Sequence, residues 1–158
     1  MRTGAVLAML LTACASTPVP SNAPSGAARG AAYGAAVEEA ERLHPLMPIA
    51  VPREAPPRYV WRSGPETQSD ASGYSIWAFA STDGTLPIVE LCVIEADVEP
   101  EGTCYADDDA VIGERRAGDL RVLIVSMEPS RATVARPSWR GIGFTTDWRS
   151  VGWLRASG

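Results

Sequence analysis

The sequence predicts an α+β domain, with an N-terminal helix packed on a mainly antiparallel β-sheet. Three observations lead there. Apolar residues recur at helical spacing in one early segment, at Tyr33, Val37, Ala40 and Leu43. From residue 58 the period shifts to two, in β-branched and aromatic runs bounded by turn residues. Between two of those runs stands Thr82-Asp83-Gly84, whose Asp-Gly step tolerates positive φ and folds its neighbours into a hairpin.

The elements follow in order. Ala15–Gly30 is mostly Pro, Ser, Ala and Gly. With almost no large apolar side chain it cannot offset its ordering entropy, so a disordered tether is expected over residues 14–30. Prolines 18, 20 and 24 stiffen it, giving a reach of up to about 50 Å at roughly 3.1 Å per residue. Ala31–His44 is the expected helix, with Glu38, Glu39 and Glu41 on its polar side and Pro45 ending it. His44 falls in the last turn, where a donor suits the carbonyl end of the helix. Residues 45–57 hold five prolines and form an extended lead-in. Strands are expected at Arg58–Arg62, Tyr74–Ser81 and Pro87–Glu95, the last apolar enough to be central and buried on both faces. Asp107–Arg116 is expected to form a short aspartate-capped helix, and Leu120–Ser126 a further strand. Short strands are expected around Ile142–Thr145 and Ser150–Leu154.

The first fourteen residues carry an address. Arg2 supplies a positive start, and Ala5–Leu11 a short apolar run, far below the roughly 20 residues that span a bilayer. The run ends in Leu11-Thr12-Ala13-Cys14, a leucine three positions before a cysteine with two small residues between. This segment resembles the lipobox of bacterial lipoproteins. The resemblance implies that residues 1–13 are a signal peptide, that Cys14 is lipidated, and that the chain is anchored at the extracytoplasmic face of the cell membrane. Two acyl chains on one residue meet the two-signal requirement for stable anchoring. With Cys14 so used, Cys92 and Cys104 remain, and an even remainder outside the cytoplasm is expected to form a disulfide. The competing use, a metal site, has only His44 as a histidine and lacks the four ligands that structural zinc takes. One disulfide thus completes the expected fold, and residues 31–158 form a single domain.

A second pattern spans roughly residues 74–126: Trp77-Ala78-Phe79, Asp83-Gly84, Leu91-Cys92-Val93, Cys104, the Asp108–Glu114 segment and Leu120–Val125. It is similar to small actinobacterial secreted proteins and lipoproteins of unassigned function. The likeness implies the sheet and the disulfide, and no activity.

Composition excludes several chemistries. The chain has no lysine, which removes Schiff-base catalysis and the P-loop lysine. No G-x-S-x-G occurs, and one histidine does not build a triad while serving a helix end. Gly141-Ile142-Gly143 lacks the third glycine of a dinucleotide fingerprint. Charge is divided: residues 45–109 hold three Arg against twelve acids (net −9), residues 110–158 eight Arg against four (net +4), and residues 1–44 balance, for a total of −5. The two blocks either pair within one fold or present a basic face to an anionic surface. The acidic stretch Glu95–Asp109 lacks the EF-hand spacing, so Asp107, Asp108 and Asp109 read as a solvated loop, and no metal or cofactor is expected.

Five tryptophans stand out. Trp61 and Trp77 lie in strands and read as core. The tail places Trp139, Arg140, Trp148, Arg149 and Trp153 together as a candidate interaction surface, the other reading being core aromatics covered by arginine stems. The expectation is therefore a non-enzymatic binding module of the cell envelope. Its partner would be another envelope protein or a wall polymer, and the compartment and negative charge disfavour nucleic acid. The alternative is a small enzyme acting on wall glycan through a carboxylate pair, with acids such as Glu90 and Glu95 available and no catalytic residue assigned.

Overall fold

A computed structural model describes residues 26–66, 73–98, 104 and 107–155. The chain forms helix α1 (Gly26–Leu43), then strands β1 (Val51–Pro52), β2 (Tyr59–Glu66), β3 (Tyr74–Ser81) and β4 (Val89–Glu95). Strands β5 (Val111–Ala117) and β6 (Leu120–Ser126), helix α2 (Ala132–Trp139) and strand β7 (Phe144–Thr145) follow. Single 3₁₀ turns occupy Asp108–Ala110, Pro129–Arg131, Trp148–Ser150 and Gly152–Leu154. The main sheet has five antiparallel strands in the order β2-β3-β4-β6-β5, and β1 pairs with β7 in a small second sheet. The fold is α+β, with an N-terminal helix on an antiparallel sheet and a Cys92–Cys104 disulfide whose Cα atoms are 5.8 Å apart.

Two strands start and end as the alternation requires, β3 and β6. The expected turn also stands: Gly84 has φ +70°, and the Asp83 carboxylate accepts from Ser81, from Thr85 and from Arg58. Those donors hold its pKa well below the usual carboxylate range. Four expectations need correction. Residues 26–30 belong to α1 rather than to the tether, because Gly30 packs on the C-terminal turns. Asp107–Arg116 is a 3₁₀ turn followed by a strand, since Val111 to Ala117 pairs with β6 across the two-residue turn Gly118-Asp119. Ser150–Leu154 forms 3₁₀ turns, not a strand. Helix α2 was not expected from the sequence, because Pro137 lies inside it.

Alternation divides the main sheet into two faces. One carries Tyr59, Trp61, Trp77, Phe79, Leu91, Val93, Val122 and Ile124 and is covered by both helices. Tyr33 of α1 sits at its centre, stacked on Trp61 at 5.9 Å and edge-on to Trp77 and Phe79 at 5.4 and 5.3 Å. Trp139 closes the far side, 5.4 Å from both Tyr59 and Phe79. Buried Ser75 ties this core to the lead-in, donating to the Pro48 carbonyl at 2.6 Å and accepting from the Trp77 indole at 2.9 Å. The other face carries Tyr74, Ile76, Cys92, Ile94, Leu123 and Val125. No helix covers it among the described residues. Instead the disulfide brings Cys104 down onto it beside Ala110, forming a smaller apolar cluster.

Candidate functional site

The helix-free face holds a groove of about 460 Å³. Ser63 pairs with Ala78, and Ala78 with Glu90, across three adjacent strands. The two small residues line a shallower recess that adjoins the groove and shares Glu66, Glu90 and Met127 with it. A register irregularity in β2 then places Glu66 opposite Ile76, on this same face. Gly64 permits it: φ is +122°, and a Cβ there would stand 2.7 Å from the Ile76 carbonyl oxygen. The walls are Tyr74, Ile76, Val125, Met127 and Pro129, and Asp107 closes one end.

Three carboxylates therefore meet an apolar trough. Glu90 is half-buried, and desolvation raises its pKa, with the charge of Glu66 pushing in the same direction. Among the described residues the Glu90 carboxylate makes no hydrogen bond or ion pair. A half-desolvated anion without a partner favours any cation that enters, because the site gains what water no longer supplies. Met127, 53 % exposed at the rim, is one of four large apolar side chains left open to solvent among the described residues. Unbranched and polarisable, it suits an adaptable contact.

The sequence-predicted residues fall in several places. Glu90 and Glu95 do not face each other: five positions apart on one strand, they project to opposite faces, and Glu95 is exposed at the strand end. The neighbour that Glu90 does have, Glu66, carried no sequence signal beyond its charge, because the β2 irregularity sets its direction. Asp107, Asp108 and Asp109 are exposed, and none caps the 3₁₀ turn through its side chain. No group of three or more His, Cys, Asp or Glu side chains suited to a metal occurs among the described residues.

The aromatic tail does not form one surface. Trp139 is 1 % exposed and belongs to the core. Trp153 is partly buried, with its indole donating to the Pro52 carbonyl at 3.0 Å. Arg149 lies over Trp148 at 4.5 Å and is bound to Glu41 of α1 through two contacts of 3.2 and 2.5 Å. Arg140 alone of the five is exposed without such a partner among the described residues. The main-chain N–H of His44 bonds to the Ala40 carbonyl at 2.8 Å, so this residue closes the helix end, far from the groove.

Cys14 and most of the tether lie outside the described residues. No described helix is long and apolar enough to cross a membrane. No family model, no curated protein and no solved structure matches this chain.

Proposed function

We propose that this protein is a lipid-anchored module of a bacterial cell envelope, held at Cys14 on the extracytoplasmic face of the membrane. It acts by binding rather than by catalysis, and its docking site is the groove on the helix-free face of the sheet. The observation that carries the binding reading is the unpartnered, half-buried carboxylate of Glu90 in an apolar trough. Such a site grips a partial or full positive charge carried on an apolar body, as a protruding Arg or Lys of an envelope protein offers. The lipobox-like Leu11-Thr12-Ala13-Cys14 supports the placement, and a disulfide-bonded domain suits that compartment. A photo-crosslinking side chain at position 127 tests the reading in the native envelope. One discrete adduct is expected, lost in the Glu90→Arg variant. The same adduct with Arg at 90, or none above a crosslinker placed at 149, refutes it.

A second reading rests on the neighbouring carboxylates. The Glu90 carboxyl, its pKa raised by desolvation, shares the groove with the Glu66 carboxylate, and a pair of carboxyl groups is what general acid and base chemistry on a wall glycan needs. Release of reducing sugar from purified wall, abolished by Glu90→Gln, would favour it over the binding reading.

A further inference from the structure

We propose that a hollow between β5 and α2, on the side of the sheet opposite the groove, binds a single phosphate-class oxyanion. It has a volume of about 120 Å³ and is lined by Ile112, Arg115, Ile124, Arg136, Trp139 and Arg140. Three of those six are cations and none is an acid. Arg115 reaches it because it pairs with Val122 across the ladder, which turns both toward the helices. Arg136 lies in the last turn of α2, and Arg140 is the residue that caps the helix end.

Like charges so gathered repel, and five of the described arginines elsewhere are neutralised. Arg42, Arg58, Arg121, Arg131 and Arg149 each sit on a carboxylate. In the hollow, Arg115 donates only to the Glu114 carbonyl, at 2.7 Å. Arg136 and Arg140 make no hydrogen bond or ion pair among the described residues. The one acid next to Arg115 in sequence points away, since the Glu114 carboxylate is held on the other face by Arg121 at 3.0 Å. The fold therefore gathers three guanidinium groups that have no counter-charge among the described residues.

The floor explains what they would hold. Ile112, Ile124 and the ring of Trp139 are apolar, and Trp139 is buried, so the hollow has a dry base where charge-assisted hydrogen bonds gain strength. Guanidinium forks match the paired oxygens of phosphate. The space is large enough for one such group, and any remainder of the ligand projects past the exposed Arg136 and Arg140. This site shares no residue with the groove and does not depend on the binding reading given for it.

The test uses the full-length chain in a nonionic detergent at constant ionic strength. Inorganic phosphate and glycerophosphoglycerol, a soluble lipid-headgroup diester, are titrated separately while NMR follows the Trp139 indole N–H and the Ile112 methyl groups. Saturable shifts are expected with at least one probe. Saturation by phosphate alone identifies a free or terminal phosphate as the source, and saturation by the diester identifies a lipid headgroup. The double variant Arg136→Gln, Arg140→Gln is expected to weaken binding by about tenfold or more, as is Arg115→Gln from the other element, with Arg58→Gln unchanged. Shifts that stay linear with both probes overturn the proposal, as does unaltered affinity in the Arg115→Gln and double variants with the wild-type spectrum retained.

Discussion

A methyl group on Gly30 would overlap the main-chain carbonyl oxygen of Trp153. Helix α1 runs backbone against backbone with the C-terminal 3₁₀ turns, and Gly34 repeats the contact one turn later against the carbonyl of Leu154. The two ends of the described chain are thus locked together by missing side chains. Trp153 then lies 5.7 Å from Tyr33, and its indole bonds to Pro52 beyond. Gly30→Ala forces rigid backbone apart and is expected to cost about 2–3 kcal/mol, at the upper end of overpacking penalties. Denaturant midpoints measure it. Ala32→Gly, on the exposed side of the same helix, is expected to lose only about 1 kcal/mol through helix propensity. Equal losses would place the Gly30 effect in the helix alone.

That contact also marks what the sequence could tell. Of the stripe Tyr33, Val37, Ala40 and Leu43, the first three are buried, because helical burial writes itself at fixed spacing, while Leu43 at the helix end is exposed. Gly30 reads as tether because its segment lacks large apolar side chains, while its role here is set by residues more than a hundred positions away. The β5 strand was misread for a related reason. Asp107 to Asp109 suggested a capped helix, and the Gly118-Asp119 turn, with Gly118 at φ +60°, was the stronger signal. The groove was illegible, since it arises where side chains of separate strands meet across the sheet, and where an irregular strand turns Glu66 toward Glu90.

Glu90 carries a pH dependence whose sign distinguishes it from an ordinary surface acid. Its folded pKa lies above the usual carboxylate value of 4.5, so in that window the folded state binds more proton than the unfolded chain. Stability therefore falls as pH rises from about that value through the raised folded pKa. The effect is modest, because the group is half exposed and solvent screens it. Glu90→Gln is expected to raise the thermal midpoint at neutral pH and to leave it unchanged at pH values below the ordinary carboxylate range. A variant that destabilises at neutral pH would show that the carboxylate is structurally satisfied after all.

The groove reading adds a functional consequence to the same variant. A residue kept for the fold loses stability and function together, whereas one kept for binding loses function while the fold gains. Glu90→Gln is expected to bind the envelope partner about tenfold more weakly, as removal of a half-buried charged contact does, in a protein that melts higher.

The Cys92–Cys104 disulfide lies within the second apolar cluster, with Cys92 in the central strand. Closing a loop of this size is worth about 3 kcal/mol in the chain-entropy model. Reduction is expected to remove about that much stability and to raise amide hydrogen exchange first at Ala110, Leu123 and Val125, around the groove. The Tyr33 cluster on the other face should keep its protection. Uniform loss of protection over both faces would mean that the disulfide supports the whole fold rather than one side of it.

Anchoring makes the simplest demand on the chain. Alkylation of Cys14 needs a thiol at that position, and each buried methylene of the attached chains contributes about 0.8 kcal/mol to membrane affinity. Cys14→Ala is therefore expected to move the protein from the membrane pellet to the soluble fraction, and to stop incorporation of a labelled fatty acid. Cys92→Ala should change neither, since that sulfur is buried and bonded to Cys104. If the Cys14→Ala protein stays with the membrane and the label is absent from the wild type, the association arises elsewhere. The arginines around Trp139 are then the first place to look, and adding Arg136→Gln and Arg140→Gln would be expected to release it.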